Sequence, residues 1–166
     1  MKNLLILGAG QYSAIVYELA KASEEFAKID FLDDKAPHAI GKTSDAYSLI
    51  ETYPYAIVAM GNSIHRLKYL NELEKCGFHI PVLCSPRAYV SSTATVGDGT
   101  IIEPMAVIHS NAKIGKGCLI SAGAVINHDA IIEDGCQIDC NATVPSSQTV
   151  PSNTKLPCGC VFSSNK

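Results

Sequence analysis

A chain of 166 residues, 47% of them hydrophobic, has room for one ordinary domain or two small ones with folded cores. Its formal charge of −3 excludes the broad basic field that nucleic acid or an anionic membrane surface requires, and no apolar run approaches the roughly 20 residues that span a bilayer. Met1 to Leu7 is too short for a signal peptide and runs into Gly8, so the seven cysteines are expected as reduced thiols in a cytoplasmic protein.

Asn3 to Leu7 reads as a buried strand, followed by the turn Gly8-Ala9-Gly10 and a helix patterned through Ile15, Val16, Leu19 and Ala20. A glycine turn between a strand and a helix brings backbone N–H groups toward a phosphate, because no side chain blocks the approach. Ile29 to Leu32 is a second strand ending in Asp33-Asp34, where a carboxylate can accept hydrogen bonds from a ribose or simply sit in a solvated turn. A short helix is expected near Asp45 to Thr52, and a third strand from Tyr55 to Met60 ends at Gly61-Asn62. A helix follows from about Ser63 to Cys76, with Ile64, Leu67, Leu70 and Leu73 inward, Lys68 and Glu72 paired outside, and Gly77 as its stop. The strand Ile80 to Leu83 completes a parallel α/β unit, a Rossmann-like half-domain. Gly8, Gly10, Asp33 and Asn62 then share the carboxyl edge of the sheet, where ligands of such folds bind. The unit is too short for two mononucleotide halves, so one nucleotide is expected.

Beyond Ser85-Pro86 an aliphatic residue recurs every six positions for twelve consecutive hexads, from Val90 through Ile102, Ile114, Ile126 and Ile138 to Leu156. Four residues after each aliphatic lies a small side chain, Ala94, Thr100, Ala106 and onward, which only Gln148 interrupts. This period fits neither an amphipathic helix nor simple strand alternation, and it is the mark of a parallel β-helix. Three hexads close one coil, so residues 18 apart stack at roughly 4.8 Å, the spacing of paired strands. About four coils result, each burying its aliphatics against its neighbours. The expected domains are 1–86 and 87–166.

Cys118, Cys136 and Cys160 fall in the small, inward register. Cys158-Gly159-Cys160 lacks the second ligand pair of a structural zinc site. His109 stacks one coil beneath Asn127, and a catalytic zinc would need a third histidine that these coils lack, so no metal is expected. His38, His65 and His79 read as surface or helix-end residues. His128, in Asn127-His128-Asp129, is expected near a strand's outward face; Asp129 can orient its imidazole for proton transfer, or the pair can be an ordinary surface turn.

Both halves together resemble the NeuD/PglD-like sugar O-acyl and N-acetyltransferases. The resemblance rests on Gly8-Ala9-Gly10, Phe31-Leu32-Asp33-Asp34, Ala59-Met60-Gly61-Asn62, Ser85-Pro86, Ile114-Gly115 and, most specifically, Gly123-Ala124-Val125-Ile126-Asn127-His128-Asp129. It implies a left-handed β-helix assembled as a homotrimer, with acetyl-CoA as acyl donor in the groove between adjacent helices. It implies His128 as general base assisted by Asp129, a nucleotide-linked or acidic sugar at Gly8, Gly10, Asp33 and Asn62, and Gln137 and Ser146 facing the donor. Where the family usually carries histidine or glycine, this chain has Tyr12, Ser85, Gln137 and Pro145-Ser146-Ser147, and its C-terminus is short of the family's further coils. The expected function is acetylation of an amine or hydroxyl on a nucleotide-activated or sialic-acid-like sugar. The alternative is a non-catalytic trimeric sugar-nucleotide-binding or scaffold protein that has lost the donor groove.

Overall fold

The computed structural model describes residues 2–164; Met1, at the head of the segment weighed as a leader, and Asn165 and Lys166, at the end of the second expected domain, lie outside the described residues. The chain divides into two compact units between Leu83 and Cys84, and the boundary expected after residue 86 lies three residues further on.

In the first unit, β1 (Lys2–Leu7), β2 (Phe26–Leu32) and β3 (Tyr55–Val58) form a parallel sheet in the order β2-β1-β3. The central place of β1 follows from its sequence: Leu4, Leu5, Ile6 and Leu7 are all buried, and a strand covered on both faces needs an unbroken apolar run. Leu5 and Leu7 share a core with Ala56, Val58, Leu70, Leu73 and Phe78. Strand alternation turns Leu4 and Ile6 to the opposite face. Helix α1 (Gln11–Ala22) buries Val16, Leu19 and Ala20. A 3-10 turn, Thr43–Leu49, stands where the short helix was expected.

Helix α2 (Ser63–Lys75) corrects the expected inner face. Ile64 is 61% exposed, while Arg66 is fully buried and donates from one guanidinium nitrogen to the carbonyls of Met60 (2.7 Å) and Gly61 (3.1 Å). The β3–α2 turn leaves carbonyls that need donors, and the arginine supplies them. The expected fourth strand of this sheet does not form either. His79 makes one isolated bridge to Tyr55, and β4 (Leu83–Cys84) heads a sheet of the second unit instead. Cys84 lies six residues before Val90, so the hexad register begins one repeat earlier than its aliphatic residues reveal.

The second unit is a three-sided parallel prism. Its sheets have five, four and four two-residue strands, stacked as Ile102–Ile120–Ile138, Ile108–Ile126–Val144 and Ile114–Ile132–Val150. From Ile102 onward every hexad aliphatic is buried, as are Ala106, Ala112, Cys118, Ala124, Ala130, Cys136 and Ala142. Thr100 occupies the same interior register because its hydroxyl is satisfied, donating to Gly115 C=O (2.8 Å) and accepting from Cys118 N–H (2.9 Å). Cys160, expected inward, is exposed: no described strand stacks beyond its coil.

A third register went unread in the sequence. The residue three positions after each aliphatic, from Gly99 to Gly159, has a left-handed backbone in eleven successive hexads, including Asn111, Asp129, Asn141 and Asn153, with φ between 57° and 72°. Glycine and asparagine tolerate this conformation best. Each such residue turns a corner of the prism.

Candidate active site

His128 and Asp129 form one of these corners, two and three residues past the strand Val125–Ile126. The imidazole is therefore exposed on a turn just past the strand, because a two-residue strand ends before reaching it. Its Nδ1 lies 2.8 Å from Asp129 Oδ2, with both side chains at least half exposed. The other carboxylate oxygen, Oδ1, accepts from Asn111 Nδ2 at 3.2 Å. The hydrogen bond from His128, and next that from Asn111, hold the Asp129 carboxyl below the usual carboxylate range. An ionised carboxylate only accepts, so it selects the tautomer with hydrogen on Nδ1 and leaves Nε2 as an acceptor.

The coil stacking ties this corner down through its backbone. Asp129 N–H donates to Ser110 C=O (3.0 Å), and Ser147 N–H donates to His128 C=O (3.1 Å). Ser110, His128 and Ser146 thus occupy equivalent corner positions 18 residues apart, and Ser146 is exposed. Gln137 is not part of that corner: it lies in the strand Gln137–Ile138 on another sheet, where its amide donates to Asp139 at 2.6 Å. His109 stacks beneath Asn127 as expected, with His109 N–H bonded to Ile126 C=O, and its ring neighbours Tyr89 at 6.4 Å between centroids.

In the α/β unit, Gly8, Gly10, Asp33 and Asn62 line one cavity of about 380 Å³. Gly8 has φ of +98°, which favours glycine, and a β-carbon there would also crowd Ala59 C=O at 3.1 Å. A β-carbon on Gly10, the residue capping α1, would meet nothing, which keeps the helix N-terminus open. Asp33 does more than end a strand. Its Oδ2 accepts from Ala9 N–H (2.9 Å), and its Oδ1 from Lys35 (2.8 Å) and Ala36 (2.9 Å). These bonds, led by the one from Ala9, hold its carboxyl below the ordinary range, so much of its accepting capacity serves the glycine turn. Asn62 caps α2 by accepting from His65 N–H at 3.0 Å. His65, read from sequence as a surface residue, also lines this cavity. A second hollow of about 460 Å³ shares Gly10 and Gln11 and adds Tyr17, Lys21, Phe31 and His38. Sequence periodicity could not reveal either histidine's place: His65 sits in the first turn of α2 and His38 in the loop after β2, and neither position belongs to a repeat.

The sequence matches the PglD N-terminal domain over residues 3–73 and the bacterial transferase hexapeptide family over 93–128 and 111–146. No curated protein matches the chain. Among solved structures, the acetyltransferase domain of PglB from Neisseria gonorrhoeae, in complex with acetyl coenzyme A, is 27% identical with a TM-score of 0.93; the match covers 96% of this chain and 81% of that one. A mutant perosamine N-acetyltransferase from Caulobacter crescentus, in complex with CoA and GDP-perosamine, is 19% identical at a TM-score of 0.75, covering 98% and 89%. WeeI from Acinetobacter baumannii is 16% identical at 0.60, covering 97% and 88%. The last two likenesses are ones of fold.

Stacked hexads behind a PglD-type α/β domain define a hexapeptide-repeat protein whose prism is a left-handed β-helix. Both halves of the chain match the NeuD/PglD-like sugar O-acyl and N-acetyltransferases.

Proposed function

We propose that this protein transfers an acetyl group from acetyl-CoA to an amine or hydroxyl of a nucleotide-activated sugar, with His128 as the general base. The observation that carries the reading is the contact between His128 Nδ1 and Asp129 Oδ2 at 2.8 Å. It leaves Nε2 to take the proton from the acceptor nitrogen or oxygen as that atom attacks the acyl carbonyl. The imidazolium, stabilised by Asp129, then returns the proton to the departing sulfur. Acetyl-CoA supplies the activated thioester. Ser146, small and exposed one coil beyond the imidazole, suits the donor's passage, and a backbone N–H of that neighbouring coil would steady the oxyanion. Gln137 is assigned to the donor by family likeness.

The glycine-turn cavity, with Gly8, Gly10, Asp33 and Asn62, is assigned to the sugar nucleotide. It is supported by the open N-terminus of α1, which favours a phosphate, and by the GDP-perosamine bound to the Caulobacter enzyme. We place the protein in the cytoplasm, where its donor is made, as a homotrimer of the kind the family likeness implies. The test combines acetyl-CoA titration calorimetry with turnover on UDP- and GDP-linked amino sugars. His128→Ala is expected to keep donor binding and lose a factor of about 10² to 10⁴ in kcat. Donor binding with full activity in that variant would remove His128 from the mechanism; absence of donor binding by the wild type would sink acetyl transfer altogether. Sedimentation at micromolar concentration is expected to show a trimer, and a monomer there would overturn that assignment.

A further inference from the structure

We infer that Asn111 is a positioning residue for the base, the third member of a chain running Asn111–Asp129–His128. This inference rests on the acyl-transfer reading above for its catalytic consequence, though not for its geometry. Asp129 uses its two carboxylate oxygens for two different partners: Oδ2 faces His128 Nδ1 at 2.8 Å and Oδ1 accepts from Asn111 Nδ2 at 3.2 Å. A carboxylate held at one oxygen can still rotate about its Cβ–Cγ bond. Held at both, its plane is set, and with it the direction in which it pulls the imidazole. The second bond matters because Asp129 is half exposed and water would otherwise compete for Oδ1.

The reach of Asn111 follows from the prism. It precedes Asp129 by 18 residues, and both have φ of 59° in the left-handed corner register. Equal torsions one strand spacing apart hold the two side chains parallel, about 4.8 Å apart at the backbone. Asn111 is anchored in turn from the coil before, where Thr93 Oγ1 accepts its backbone N–H at 3.0 Å. The amide suits this position chemically. It donates to the carboxylate without adding a charge that would compete with the imidazolium for it, as lysine would, and without the repulsion a second carboxylate would bring.

The test uses two substitutions that tolerate a left-handed corner. Asn111→Gly removes the amide, and Asn111→Asp replaces the donor with a like charge. Both are expected to lower kcat by about tenfold to a hundredfold through misplacement of the base, with KM for acetyl-CoA and for the sugar nucleotide unchanged and with native circular dichroism. A purely structural role would not move the second readout, the ¹⁵N shifts of the His128 ring. In the wild type at neutral pH they are expected to report hydrogen on Nδ1, and in both variants to drift toward the mixture of free histidine, in which Nε2–H predominates. Asn111→Gly introduced into Asp129→Gly is expected to change neither the ring shifts nor kcat further. Unaltered ring shifts in folded Asn111→Gly, or a full additional loss in the double variant, would overturn the inference. A wild type without turnover would defeat the proposed function alone, since the ring shifts still decide whether Asn111 positions the pair.

Discussion

The two units spend similar numbers of residues on opposite strategies. In the prism a residue's task depends on its place in a six-residue frame: the aliphatic is buried, the residue three later turns the corner, and the one four later fills the interior beside it. In the α/β unit no such frame recurs, and single polar residues hold single turns. Asp33 ties the glycine turn to the loop after β2, and Arg66 saturates the turn before α2. Repetition spreads stability over equivalent contacts between neighbouring coils. A small α/β fold concentrates it in particular contacts. The candidate base sits at one of the repeated corners, and Asp129 beside it takes the left-handed position that glycine or asparagine fills in most other hexads.

The largest expected effect tests the shared interior. Ile126→Ala deletes most of a fully buried side chain between Ile108 and Val144 and should destabilise the prism by about 3 kcal/mol, read from the denaturant midpoint at constant m-value. A loss under about 1 kcal/mol would mean that neighbouring coils relax into the space, and that repetition confers plasticity.

The concentrated strategy predicts a smaller but local loss. Asp33→Ala removes three hydrogen bonds to a carboxylate and should cost the α/β unit roughly 2 kcal/mol at pH 7, with hydrogen exchange rising first at Ala9, Lys35 and Ala36. The pH dependence has a definite sign. Because folding lowers the Asp33 pKa, its stabilisation is complete above the unfolded value of about 3.9 and is lost as pH falls through the folded value. The gap between wild type and variant should therefore be constant near neutrality and close in acid below about pH 4. A gap that widened in acid would contradict the bonding described.

The smallest effect has the opposite direction. Met105 stands in the corner register with φ of 64° and is 61% exposed, so it bears backbone strain with little burial in return. Met105→Gly should gain up to about 1 kcal/mol, relief of the left-handed penalty being partly offset by glycine's greater unfolded freedom. A loss would show that Met105 makes contacts that outweigh its strain.

Much of the candidate site is legible in the amino-acid sequence. The His128-Asp129 pair stands out because an imidazole and a carboxylate are adjacent two positions past a hexad aliphatic, and Gly8 and Gly10 because a glycine turn follows an apolar strand. Asn111 did not stand out, since an asparagine at a corner looks like any other turn residue. Its role depends on a partner 18 positions away and on the torsion they share. The Ile64 assignment failed for a related reason: helical periodicity predicts a buried stripe but cannot say which turn of the helix the core reaches. The strand expected over Ile80 to Leu83 does not join the α/β sheet, and only Leu83 of it is in a strand, the two-residue β4 of the prism, which has no periodicity of its own.

What the amino-acid order determined alone was the prism, its three-hexad coil and the division into an α/β unit and a β-helix; it also singled out His128 and Asp129 as candidates for proton transfer. All are consequences of short-range rules applied repeatedly, so each repeat corroborates the last. Only the tertiary structure decided that His128 turns a corner, that Asp129 is held at both oxygens, and that Asp33 serves the glycine turn while lining its cavity. Those outcomes depend on hydrogen bonds between residues distant in sequence, whose directions follow from backbone torsions and stacking rather than from residue type.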